Sequence, residues 1–60
     1  MNVRAGQHYE RIHPKGVGRS TFSVLRVEGQ YAIIQDSQVH KIKLTTFEDH
    51  RRQYRLLKDA

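Results

Sequence analysis

Apolar residues along this chain fall into short clusters of β-branched and aromatic side chains, with turn-forming residues between the clusters. Residues 6–12 read as a first strand with Tyr9 as its inward anchor. His13-Pro14-Lys15-Gly16-Val17-Gly18 is then a loop, because Pro removes a backbone donor and the two glycines permit positive φ. Residues 20–27 carry the strongest strand signal. Within them Phe22 and Val24 alternate, then Leu25 and Val27 alternate in the opposite phase, which predicts a bulge or sharp bend of the kind small barrels need to close. Glu28-Gly29-Gln30 is a tight connection into residues 31–35, whose apolar character on both faces marks a central strand. Asp36-Ser37-Gln38 predicts the next hairpin turn. Residues 39–44 then alternate, with Ile42 and Leu44 on one face and Lys41 and Lys43 on the other. Four strands pairing in sequence make an antiparallel meander.

The last sixteen residues admit two readings. Thr45-Thr46-Phe47-Glu48 fits a capping box, with Thr45 at the N-cap and Glu48 three residues on, and Glu48 and Arg52 have i, i+4 spacing. A helix from Thr46 towards Lys58 would put Phe47, His50, Tyr54 and Leu57 on one arc and Leu56 on the opposite side. On a strand, Tyr54 and Leu56 share one face and Arg55 takes the other. The favoured reading is a single helical turn over residues 46–49 and a short closing strand over residues 54–58; a β-meander with a C-terminal helix is the alternative.

Five short strands, a long first loop, two tight hairpins and a helical turn before the last strand follow the order of an all-β, five-stranded SH3-like barrel occupying residues 1–60 as one domain. Gly6-Gln7-x-Tyr9, then Pro14, Gly18-Arg19, Val24-Leu25-x-Val27 and Gly29-x-x-Ala32 resemble a family of short, uncharacterised SH3-like proteins of bacteriophages and bacterial genomes. Lys41-Ile42-Lys43-Leu44 and the Tyr54-Arg55-Leu56 ending continue the likeness. It covers residues 6–58 and departs at His50-Arg51-Arg52-Gln53, where Gly or Pro is expected before the last strand. The resemblance implies a fold and a mobile-element origin, and it carries no established activity.

Size and composition narrow the function. A chain of 60 residues is one small domain, burying only ~60% of the surface it exposes unfolded, with no room for a substrate domain or cofactor fold. Zero Cys removes disulfides, thiolate zinc sites and a cysteine nucleophile. The longest apolar run, Tyr31-Ala32-Ile33-Ile34, is far below the ~20 residues that span a bilayer. No apolar stretch follows Met1-Asn2-Val3-Arg4, so no signal peptide and a cytoplasmic location are expected.

Enzymatic chemistry finds little support. Gly16-Val17-Gly18-Arg19-Ser20-Thr21 superficially suggests a phosphate loop, but His13 stands where the first Walker glycine belongs, Arg19 replaces Lys, and a strand follows. The four His have no i, i+2 or i, i+4 pair, although His8 and His40 lie on strands with a chance to approach each other. Glu48-Asp49 are adjacent on a turn, and Glu10, Glu28 and Asp36 fall on strands and turns, where nothing buries a carboxyl enough to raise its pKa. No enzyme, cofactor, metal site or small-molecule substrate is expected.

The basic residues are the informative set. The net charge of +5 is uneven, with +3 in residues 1–20, −1 in residues 21–40 and +3 in residues 41–60. With the ends of the chain brought together, Lys15, Arg19, Lys41, Lys43, Arg51, Arg52 and Arg55 would form one phosphate-binding surface for DNA or RNA. Tyr31 and Tyr9 would add base stacking if exposed, whereas Phe47 and Tyr54 read as core. The competing expectation is a protein-interaction module or homo-oligomer, motivated by exposed sheet edges and by Leu25, Ile33 and Leu57, which do not fit one face. A membrane-surface role is not expected, since the C-terminal segment has too few large apolar residues.

Overall fold

The computed structural model describes residues 2–13 and 18–60. Five strands are present: β1 (His8–Ile12), β2 (Arg19–Glu28), β3 (Tyr31–Gln35), β4 (Val39–Lys43) and β5 (Tyr54–Lys58). A short helix, α1 (Leu44–Asp49), and a 3-10 turn (Arg51–Gln53) join β4 to β5. All neighbours pair antiparallel in the order β4-β3-β2-β1-β5. The expected meander and closing strand are therefore present, and the long C-terminal helix is not. The sheet is open: β4 and β5 are its edges, with no ladder joining them among the described residues. No helix of the described residues is long and apolar enough to cross a membrane.

The phase change in β2 is a bulge. Val24 faces Ile34 and Arg26 faces Ile33, which leaves Leu25 as the extra residue. Gly29-Gln30 then closes a two-residue hairpin between Glu28 and Tyr31, with φ of 58° at Gly29. Positive φ at the first central position only is the II′ pattern, whose twist matches that of the strands. The expected loop after β1 is spanned by a bond from the His13 N–H to the Gly18 carbonyl; Pro14, Lys15, Gly16 and Val17 lie outside the described residues.

The helical segment begins earlier than its sequence suggests. Lys43, not Thr45, is the N-cap, and no side chain caps the first turn. The Leu44 N–H donates to the Gln30 carbonyl at 2.8 Å, carrying the β3–β4 pairing one residue further, while the Leu44 side chain packs on the core. That backbone bond does what a cap would do, so the Thr45–Glu48 box is not used. The helix ends at Asp49, so Arg52 falls beyond it and the helical i, i+4 relation to Glu48 does not arise. His50 and the 3-10 turn reverse the chain with negative φ, so the Gly or Pro expected there is not required.

The core lies on the face of the sheet that α1 covers. Tyr9 from β1, Phe22 and Val24 from β2, Ala32 and Ile34 from β3, and Tyr54 from β5 surround Phe47 of α1, which is fully buried. The Phe47 ring lies 4.8 Å from Tyr54 and 5.7 Å from Tyr9, in tilted geometries that aromatic pairs favour. Phe47 and Tyr54 are thus core residues, as read from sequence, and Tyr9 is buried and offers no stacking surface.

One polar side chain is buried with them. Gln7 is 2% exposed. Its Oε1 accepts from the Arg4 N–H and the Tyr9 hydroxyl, both at 2.8 Å. Its Nε2 donates to the Asn2 carbonyl at 3.1 Å and to Asp59 Oδ1 at 3.0 Å. Asp59 Oδ1 also takes the Arg4 guanidinium at 2.6 Å. Gln7 thereby satisfies all its hydrogen-bonding capacity and ties the N-terminal segment to the residues after β5. Gly6, at φ 88°, must be small as well, since a Cβ there would meet the Ala60 Cβ at 2.9 Å.

Candidate nucleic-acid interface

Alternation along β3 puts Tyr31, Ile33 and Gln35 on the face opposite the core. The β4 ladder sets Lys43 across from Tyr31 and Lys41 across from Ile33. On the other side, the bulge sets Arg26 across from Ile33 and Glu28 across from Tyr31. Were Leu25 paired in regular register it would face Ile33, and Arg26 would stand opposite Ala32 on the core face. Ile33 is 7% exposed although it lies on this outer face, between Arg26 and Lys41.

The charges on this face are not balanced. Arg26 Nε lies 3.1 Å from Glu28 Oε2, so these two offset one another. Lys41 and Lys43 are exposed and make no ion pair among the described residues. Lys41 Nζ instead lies 4.5 Å from the centroid of the half-buried Tyr31 ring, a cation–π contact. Sequence reasoning missed Arg26, which belongs to the acidic middle third. The phase change at Leu25 was the signal that would have placed it on this face.

The other expected site residues lie elsewhere. Arg55 faces Glu10 across the β1–β5 ladder, and Arg19 Nη1 stands 3.6 Å from Glu10 Oε1. That carboxylate is largely covered, and Oε1 has no hydrogen bond among the described residues. Arg51 and Arg52 are exposed in the 3-10 turn, which packs beside β1 and β5. Lys15 lies outside the described residues. Pairing of β1 with β5 does bring the two ends of the chain together. Strand order puts Lys41 and Lys43 on the β4 edge and Arg55 on the β5 edge of the sheet. Arg19 stands beside Glu10, whereas Lys41 and Lys43 face no acid across their ladder.

Histidines and carboxylates are dispersed. His8 and His40 are on β1 and β4, with two strands between them, so they do not approach as their strands suggested. His40 Nε2 instead lies 3.4 Å from Asp36 Oδ1. The Gln38 N–H, and secondarily His40, hold the Asp36 carboxyl below its ordinary pKa. No group of three or more His, Asp or Glu able to hold a metal occurs among the described residues. Arg19, Ser20 and Thr21 are in β2, so the glycine-rich segment before them opens no helix and lacks the context of a phosphate loop. Comparison with protein-family models, with curated proteins and with solved structures finds no match to this chain.

At the far end of the outer face a shallow groove of about 530 Å³ is lined by His8, Thr21, Ser23, Gln35, Asp36 and Leu57, among others. Among the apolar residues that sequence reasoning left over, Ile33 is buried, while Leu25 and Leu57 are 39% and 47% exposed.

Proposed function

We propose that this protein is a small, non-enzymatic module whose outer β2–β3–β4 face binds the nucleic-acid backbone. The observation that carries this reading is the pair Lys41 and Lys43, exposed side by side on an edge strand, facing Ile33 and Tyr31 rather than acids. Two lysines whose backbone positions stand about 7 Å apart along one strand suit successive phosphates. A non-enzymatic role is supported by four of the six carboxylates, which are engaged in the contacts described: Glu10 near Arg19, Glu28 with Arg26, Asp36 with Gln38, and Asp59 with Gln7. We further read the open sheet as an SH3-like barrel left unclosed between β4 and β5. The strand order, the bent β2 and the 3-10 turn before β5 support that reading, and the phage-type origin rests on the sequence resemblance alone.

The test is binding of labelled DNA and RNA, single-stranded and duplex, across a salt series. Wild type should bind at low salt. Lys41→Glu with Lys43→Glu should weaken binding and lower the steepness of the log–log salt plot by roughly 1.4–1.8, two phosphate contacts' worth, with an unchanged circular dichroism spectrum. No binding of any probe at low salt would sink the proposal. Exposed Leu25, Val27, Val39, Leu56 and Leu57 favour a second reading, a protein-interaction module. A pull-down that survives nuclease treatment, or self-association in light scattering, would favour it.

A further inference from the structure

We propose that the outer face selects single strands over duplex: an unpaired base stacks on Tyr31 in place of the Lys41 ammonium, which moves to the adjoining phosphate. This rests on the nucleic-acid reading above.

Tyr31 is the aromatic side chain of that face; Tyr9, Phe22, Phe47 and Tyr54 are turned into the core. Its ring is half-buried, anchored at the start of β3, and its hydroxyl has no hydrogen bond among the described residues. What lies over the ring is the ammonium of an exposed lysine, 4.5 Å from its centroid. An exposed ammonium–ring contact is weaker than a base stacked on an aromatic residue, so a base can displace it. The displaced Lys41 does not lose its partner's attraction, because each stacked base brings a phosphate with it. Lys43, directly opposite Tyr31, stands beside the same position.

A duplex would gain little here. Its bases are stacked on one another, and reading its major groove requires a helix or a two-stranded ribbon that projects into it. Lys41, Lys43, Tyr31 and Ile33 lie within the sheet surface, on neighbouring rungs of one ladder. A single strand can instead follow β3. Some four residues, about 13 Å, beyond Tyr31 it reaches the groove beside Gln35, where Ser23, Thr21 and His8 offer hydrogen-bonding groups for a base edge.

Fluorescence anisotropy with labelled oligothymidylate, oligouridylate and a duplex of equal length tests this at low salt. Tyrosine emission is followed in parallel with unlabelled strands. Single strands should bind at least tenfold tighter than duplex and quench tyrosine emission in wild type; the tighter of the two homopolymers identifies DNA or RNA as the source. Tyr31→Leu should weaken single-strand binding about tenfold with an unchanged salt slope, the loss expected for one stacked base. Tyr31→Phe should retain binding, which separates stacking from folding. Equal affinity for duplex, no quenching, or full binding by Tyr31→Leu overturns base stacking; if Lys41→Glu with Lys43→Glu still abolishes binding, the backbone reading survives. Absence of binding to every probe overturns both.

Discussion

Replacing Gln7 with Leu tests the polar clip that joins the two ends of the chain. Leu keeps a similar volume in a site that is 2% exposed, so packing changes little and hydrogen bonding changes most. The Tyr9 hydroxyl, in a residue 1% exposed, then has no acceptor. Leaving a buried hydroxyl unpaired costs about 1–3 kcal/mol. The Arg4 N–H and Asn2 carbonyl are only partly buried and can turn to water, so each adds about 0.5 kcal/mol. The total is about 3 kcal/mol, against the ~3–9 kcal/mol expected for a domain of this length. The thermal midpoint should fall by roughly 12–24 °C in circular dichroism melts.

A second substitution isolates the cause. Tyr9→Phe in the wild-type background removes a good hydrogen bond and should destabilise by about 1 kcal/mol. In the Gln7→Leu background it removes an unsatisfied hydroxyl instead, and should restore about 1–2 kcal/mol. The effect of Tyr9→Phe therefore changes sign between backgrounds in urea titrations. If Gln7→Leu costs less than about 0.5 kcal/mol, or Tyr9→Phe has the same effect in both backgrounds, the clip does not contribute as argued.

Two further outcomes follow from the same end of the molecule and its turns. Gly6→Ala combines positive φ with a 2.9 Å approach to Ala60, whereas a Cβ at Gly29 meets open space, so Gly6→Ala should be the more destabilising. Gly29→Ala should cost only the strain of its positive φ, about 1–3 kcal/mol by denaturant titration, and equal costs would refute the Ala60 contact. Asp59 is held below its ordinary pKa by the Gln7 amide first and Arg4 second. Its folded-state value lies below the unfolded one, so its contribution is complete above the unfolded value of about 4 and is lost as pH falls through the folded value. Thermal midpoints of Asp59→Asn should therefore vary less than wild type between neutral and acid pH, and parallel curves would exclude the linkage. Tyr9 is pushed up, chiefly by burial and then by Asp59, so its stabilisation is complete below about pH 10 and is lost above it. Tyrosinate absorbance in a base titration should show a step above the ordinary tyrosine value that Tyr9→Phe removes.

Where local patterning carries the information, the chain is legible without its structure. Strands β3 and β5 begin and end where alternation and turn residues put them, because both signals act over two to five residues. The bulge at Leu25 is legible for the same reason, as a change of phase inside one strand. Tyr9, Phe47 and Tyr54 read as core because large aromatic residues in so small a domain have few other places to go. The helix start was misplaced by two residues, since the bond from Leu44 to Gln30 links segments fourteen residues apart and leaves no mark in the Thr45–Glu48 pattern.

The candidate site was only half legible. That Lys41 and Lys43 share a face follows from their spacing alone. That they stand on an edge, away from Arg55 and Arg19, depends on the sheet order β4-β3-β2-β1-β5, which is decided by the long-range pairing of β1 with β5. Gln7 shows the same limit from the other direction. In the sequence it is one polar residue in an N-terminal strand; in the fold it is buried, fully hydrogen-bonded and joined to Asp59, fifty-two residues away. Alternation and turn residues located β3 and β4 and the faces of their side chains, and left the C-terminal segment open between helix and strand. Only the closing of the chain upon itself decided which charges are neighbours, because that pairing is set by the packing of a shared core and not by anything local.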